Sequence, residues 1–154
     1  MESPVSIVAF TTEERDAIRK LNYEWLERYF KLEPGDVKSL NNPETEILAK
    51  GGYIFYAKYE GNIVGCVALM KKTDRVFELS KMAVTETIQG LGIGKLLLEY
   101  CLDFAANHHF LKLIIYSNTK LKSAIHLYQK YGFEEIPLES GLYERADIKL
   151  EKYM

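Results

Sequence analysis

Apolar residues alternate loosely with polar ones from Val5 to Phe10, a period of two that predicts a first strand. The period then lengthens. Ile18, Leu21, Trp25 and Tyr29 recur at steps of three or four, predicting an amphipathic helix that starts near Thr11 or Thr12 and ends near Tyr29 or Phe30. Arg15, Lys20, Glu24 and Arg28 fall on its wet side. Pro34, Gly35, Pro43 and the Gly51–Gly52 pair break up the next stretch, where a short helix between loops is expected. Tyr53 to Tyr59 and Ile63 to Met70 are β-rich runs separated by Glu60, Gly61 and Asn62, the pattern of an antiparallel hairpin. A further strand is expected from Val76 to Val84. Ile93, Leu97, Cys101, Phe104 and His108 then share one helical face from about Gly92 to Asn107. Leu113 to Tyr116 predicts a short strand, and a second helix runs from about Lys120 until Gly132 ends it. Phe133 to Ile136 and Ala146 to Leu150 supply closing strands.

Antiparallel strands that feed a strand-helix-strand-helix unit imply an α/β fold: a mixed, mainly antiparallel central sheet flanked by helices. With 154 residues and no repeat or linker, residues 1–154 are expected to form a single domain. The 20 basic and 22 acidic residues leave a net charge of −2, which lacks the basic surplus needed to neutralise nucleic-acid phosphates. No nucleic-acid partner is expected. No apolar stretch reaches membrane-spanning length and the N-terminus lacks a signal-peptide pattern, so no membrane association and a cytoplasmic location are expected.

The chemistry concentrates in Val84-Thr-Glu-Thr-Ile-Gln-Gly-Leu-Gly-Ile-Gly-Lys95, between a strand and an amphipathic helix. A helix N-terminus presents unpaired N–H groups and a positive dipole end, and glycines let an anion approach them closely. The dinucleotide fingerprint starting at Gly90 and Gly92 fails because position 95 is Lys. A Walker pattern ending at Gly94-Lys95 fails at Gln89 and Leu96. Close packing of a glycine-rich turn is the competing structural reading.

Gln89-Gly-Leu-Gly92-Ile-Gly94 resembles the Q/R-x-x-G-x-G/A signature of the GNAT superfamily of acetyl-CoA-dependent N-acetyltransferases. Glu78-Leu-Ser-Lys-Met-Ala-Val84 resembles that family's preceding strand, and Ala124-Ile-His-Leu-Tyr-Gln-Lys-Tyr-Gly-Phe133 its second conserved block. The resemblance implies acetyl-CoA as cosubstrate. Its pyrophosphate would be held by Gln89, Gly90, Leu91, Gly92, Ile93, Gly94 and Lys95, and its pantetheine arm by the backbone of Met82, Ala83 and Val84. The family often has Asn three residues before the block's alanine, where this chain has Leu121; Asn118 is the expected substitute.

An alkylamine with a pKa of about 10.4 must lose a proton before it attacks a thioester. Alternation places Glu78, Ser80, Met82 and Val84 on one face of their strand, which would aim Glu78 toward the cofactor as the base. A structural carboxylate paired with Lys or Arg is the alternative. Tyr128 matches the family tyrosine near the coenzyme sulfur and is the expected acid, against the alternative of an aromatic packed on the sheet. The acceptor site is expected to use Trp25, Tyr29 and the segment 143–147, with Arg145 pairing either with a substrate carboxylate or in a surface salt bridge with Glu or Asp. Trp25 and Tyr29 also lie on the helix face expected to bury.

Cys66 and Cys101 lack metal or redox spacing and read as small buried hydrophobes. His108, His109 and His126 read as surface or capping residues, and no metal is expected. The resemblance therefore implies direct transfer to a primary amine, the acceptor being a small molecule, amino-acid-like in one version. A non-catalytic acyl-CoA-binding sensor and acetylation of a protein or peptide amine are the alternatives. The family also admits a homodimer, which no residue here specifies.

Overall fold

A computed structural model describes residues 4–88, 90–139 and 144–154. Seven strands form one sheet in the order β1-β2-β3-β4-β5-β7-β6. These are β1 (Val5–Ala9), β2 (Tyr53–Tyr59), β3 (Asn62–Lys71), β4 (Val76–Val84), β5 (Lys112–Ser117), β6 (Glu134–Ile136) and β7 (Ile148–Tyr153). Every neighbouring pair is antiparallel except β4 with β5. The mixed, mainly antiparallel sheet read from the sequence is the one observed.

The β2–β3 hairpin closes on Glu60 and Gly61, at φ +52° and +80°, so that Tyr59 faces Asn62. Two successive positive φ angles match the right-handed twist of the strands they join. Helix α1 (Asp16–Tyr29) and helix α2 (Pro34–Asn41) cover one face of the sheet, meeting Ile54, Tyr56, Cys66 and Ala68 with Ile18, Leu21, Leu26 and Leu40. Helix α3 (Ile93–Asn107) and helix α4 (Lys122–Lys130) cover the other, where Leu97, Leu98 and Tyr128 join Val67, Leu69, Leu79, Leu113 and Leu150. Gly132, at φ +94°, stops α4 as expected.

Two boundaries differ from expectation. The first helix begins with a separate 3₁₀ turn at Thr12–Glu14, and the stretch before β2 holds a second helical piece, a π-helical turn at Glu44–Leu48. Arg15 ties these two turns together by donating to both carboxylate oxygens of Glu44 and to the Asn41 carbonyl. Among the described residues no helix is long and apolar enough to cross a membrane.

Candidate active site

Strands β4 and β5 pair only from Val76 to Glu78 against Lys112 to Ile114. Beyond Glu78 the two strands continue without pairing to each other, and a cleft of about 310 Å³ opens between Leu79–Val84 and Ile115–Asn118. A bulge sets this divergence. Cys66 faces Ala83 but Ala68 faces Ser80, so β4 carries an extra residue there, with Lys81 at φ +58°. The bulge overturns simple alternation. Phe77 and Leu79 pack on the α3 side, as do Met82 and Val84 after it, whereas Ala83 packs on the α1 side. Glu78 therefore does not share a face with Met82 and Val84, because the inserted residue reverses the phase of the pleat.

Glu78 lines the cleft where the strands part. It is 2% exposed, and Lys72 Nζ lies 3.0 Å from its carboxylate. Glu78 is thus both ion-paired with Lys72 and part of the cleft wall. Tyr128 of α4 likewise packs in the core, edge-on to Phe133, and lines the cleft. Burial pushes its phenol up to about 12, so it is protonated at neutral pH.

The acceptor-side residues separate. Trp25 is half-buried and lines the cleft, stacked loosely against Phe30 at 5.2 Å. Tyr29 is 45% exposed, neither buried on the core nor part of the cleft wall; its hydroxyl donates to Glu86 at 2.9 Å, and Arg28 ion-pairs with the same carboxylate. Arg145 lies on the cleft wall, but its fork is engaged by Asp36 at 2.6 and 2.7 Å and by Glu33. Arg145 thus pairs with Glu and Asp, but not at the surface as expected, since Asp36 is 2% exposed. Asn118 also borders the cleft, yet its amide is spent on backbone, donating to the Arg145 carbonyl at 2.7 Å and accepting from the Lys120 N–H at 3.0 Å. It holds the turn after β5 against the segment leading into β7. Gln89 and Tyr143 lie outside the described residues.

Asp36 joins Arg145 to Lys81, whose Nζ lies 3.2 Å away; the two side chains are 2% and 6% exposed. Burial alone would raise the Asp36 carboxyl, but the Arg145 hydrogen bonds and the Lys81 charge outweigh it and hold the group below its ordinary value. The carboxylate's contribution to stability is present above about pH 3.8 and is lost as pH falls through the lowered native pKa. Asp36→Asn should cost about 3 kcal/mol at neutral pH, since the buried Lys81 ammonium loses its carboxylate and the partly buried Arg145 keeps only Glu33. Urea unfolding at pH 7 and pH 3 checks this: the gap between variant and native protein should narrow at the lower pH.

The glycine turn is open. Gly90 and Gly92 have φ of +76° and +65°, and a Cβ placed on Gly90, Gly92 or Gly94 would meet no heavy atom within 4 Å. Among the described residues, the first amide of α3 to find a carbonyl within this turn is that of Leu96, which donates to Gly92 at 3.0 Å. Ile88 and Gly90 to Ile93, with Val84 to Glu86, border a hollow of about 240 Å³ at this helix start, where the first amides of a helix lack partners within it. Leu91 and Ile93 turn their side chains to the core, leaving backbone as their contribution, while Lys95 is exposed. Val84 borders both hollow and cleft. The Glu24 carboxylate of α1 accepts from the Glu86 N–H at 3.1 Å, which fixes the loop leading into the turn.

Both cysteines are buried, and burial raises their thiols, Cys66 to about 12. Neither is a thiolate at neutral pH. His108 stacks on Phe104 at 3.8 Å and caps α3, and His126 is exposed on α4. Asn22 and Lys81 line the cleft, and Asp36 supports it by pairing with Lys81 and Arg145; the sequence pattern singles out none of the three. Asn22 carries the one available signal, a polar residue four positions from Ile18 on a buried helix face.

A sequence model of the Acetyltransferase (GNAT) family matches residues 16–133. N-acetylaspartate synthetase of Xenopus tropicalis is 35% identical over 88 residues, 56% of this chain and 32% of that protein. This chain thus spans about a third of that curated relative's length. An uncharacterized N-acetyltransferase of Escherichia coli strain K12 is 28% identical over 109 residues, 68% of this chain and 65% of the relative. Among solved structures, a GNAT acetyltransferase of Staphylococcus aureus Mu50 superposes with a TM-score of 0.85 at 22% identity, covering 97% of this chain and 98% of its own. A GNAT acetyltransferase of Elizabethkingia anophelis with acetyl-CoA bound superposes at 0.69 and 23% identity, covering 99% and 100%. With the family match spanning both the opened β4–β5 cleft and the glycine turn, this chain belongs to the acetyltransferase (GNAT) family.

Proposed function

We propose that the protein transfers an acetyl group from acetyl-CoA to the primary amine of a small molecule, directly and without a covalent enzyme intermediate. The observation that carries this reading is the continuity of the site: the open turn at Gly90–Gly94 adjoins, through Val84, the cleft that holds Glu78 and Tyr128. The residues present fit acetyl-CoA. Backbone amides at the start of α3 suit a pyrophosphate, with Lys95 adding positive charge, and the edge of β4 from Leu79 to Val84 offers backbone groups to an amide-bearing arm.

Acetyl-CoA supplies a thioester carbonyl open to attack by a neutral amine. Glu78 accepts the proton that the ammonium acceptor must lose, directly or through water, and Lys72 at 3.0 Å holds its carboxylate in place on the cleft wall. As the C–N bond forms and the C–S bond breaks, Tyr128 donates its phenolic proton to the departing sulfur and is reprotonated through water by the second proton that the nitrogen sheds on becoming an amide. The two cysteines, protonated and buried, take no part.

Similarity to the N-acetylaspartate synthetases supports an amino-acid-like acceptor. Arg145 does not, because Asp36 and Glu33 already occupy its fork. Calorimetric titration with acetyl-CoA, with ATP and NAD as controls, should show saturable binding of acetyl-CoA alone. Thiol release should then depend on an amine when aspartate, other amino acids, alkylamines and polyamines are screened. Binding without thiol release for any amine, peptide amines included, would make the protein an acyl-CoA-binding module instead.

A further inference from the structure

The bulge that opens the cleft is held in an unfavourable conformation. Lys81 adopts φ +58°, a region that a long L side chain rarely occupies. Its carbonyl accepts from two buried groups on the α1 side, Asn22 Nδ2 at 3.2 Å and Cys66 Sγ at 3.3 Å. Asn22 is 4% exposed, and its amide also donates to the Ile18 carbonyl at 2.9 Å, which fixes the amide's orientation on α1. The Lys81 ammonium is anchored separately to Asp36 of α2. Main chain and side chain of the bulge are thus secured by different helices. The strand immediately after it, Met82–Val84, forms the wall that continues into the glycine turn.

We propose that Asn22 is a positioning residue: by holding the Lys81 carbonyl it fixes the bulge in β4 and so keeps the cofactor-facing edge of the cleft preformed. The inference rests on the reading of this cleft as the acetyl-CoA site. Asn22 also lines the cleft, so a direct contact with a bound molecule is the competing account; a direct contact would cost the same affinity in either Lys81 background, whereas the clamp acts through the backbone of β4. A relaxed bulge would let residues 79–84 straighten toward β5 and narrow the cleft, at a cost that acetyl-CoA must then repay on binding.

Glycine adopts positive φ without strain, so Lys81→Gly should make the bulge independent of its clamp. Four proteins test this: the native chain, Asn22→Ala, Lys81→Gly and the double variant. Acetyl-CoA affinity is measured by calorimetry, and hydrogen exchange of residues 79–84 provides a readout that needs no cofactor. Asn22→Ala should weaken acetyl-CoA binding about ten-fold and speed exchange in that segment, while the same substitution in the Lys81→Gly background should change affinity less than about two-fold.

An Asn22→Ala protein that loses thermal stability but binds acetyl-CoA as the native chain does would overturn the inference. So would an equal loss of affinity in both backgrounds. If Asn22→Ala alone does not fold, recovery of fold and binding by Lys81→Gly supports the clamp, and failure to recover while Lys81→Gly alone folds defeats it. If the native chain itself does not bind acetyl-CoA, the reading of the cleft falls, and exchange decides the clamp separately. Faster exchange in Asn22→Ala that Lys81→Gly restores would still support it; unchanged exchange would end it.

Discussion

Gly92→Asp should weaken acetyl-CoA binding about a hundred-fold, or about 2.8 kcal/mol, while leaving the folded protein nearly as stable as before. Two opposing terms account for the small change in stability. Gly92 sits at φ +65°, where any L residue costs about 1–2 kcal/mol. The same position opens α3, where a carboxylate gains about 0.3–1 kcal/mol from the positive end of the helix. A Cβ there meets no neighbour, so no clash is added. Affinity has no such compensation. The new carboxylate occupies the amides that a pyrophosphate would use, and a like charge about 5 Å away costs about 3 kcal/mol at an effective dielectric of about 20. Gly92→Ala separates the terms, since it adds the strain without the charge, and its affinity should fall less than ten-fold. Calorimetry with acetyl-CoA on both variants, alongside thermal unfolding, checks the pair. Native-like affinity in folded Gly92→Asp would remove the pyrophosphate from this turn.

How far the site could be read from sequence depends on whether each feature is local. The hairpin at Glu60–Gly61, the end of α4 at Gly132 and the glycine turn before α3 are set by residues within a few positions of one another, and all three form where their chemistry places them. The bulge is different. It exists because Cys66 pairs with Ala83 while Ala68 pairs with Ser80, a register held by a neighbouring strand and by Asn22 on a distant helix. Nothing in the segment Glu78-Leu-Ser-Lys-Met announces it, and alternation carried through it assigns Met82 and Val84 to the wrong face. Arg145 illustrates the same limit, because its partners Glu33 and Asp36 lie more than a hundred residues away in sequence. Tyr29 misleads for a local reason. The buried face of α1 runs through Ile18, Leu21, Asn22 and Leu26, which leaves Trp25 half-buried and Tyr29 outside that face, where it reaches Glu86.

Tyr128→Phe should lower kcat about 10- to 100-fold with little change in the affinity for acetyl-CoA. General acid catalysis commonly contributes about 10²–10⁴, but a thiol pKa of about 8.5 makes the sulfur a tolerable leaving group without full protonation, which places the expectation at the low end. The phenyl ring keeps nearly the whole volume of the side chain, so contacts with Phe133 and the sheet survive. The pH dependence carries a second signature. With its pKa pushed up to about 12 by burial, the phenol stays protonated through the usual assay range, so Tyr128 should produce no falling limb in kcat below about pH 11. Any rise in kcat with pH must come from a group other than Tyr128, and it should persist in Tyr128→Phe, scaled down but not shifted. Pre-steady-state measurement of thiol release at saturating acetyl-CoA and amine isolates the chemical step. Unchanged release in the variant would leave Tyr128 as a wall of the cleft, and a loss expressed wholly as weaker acetyl-CoA binding would make it a contact for the cofactor rather than the acid.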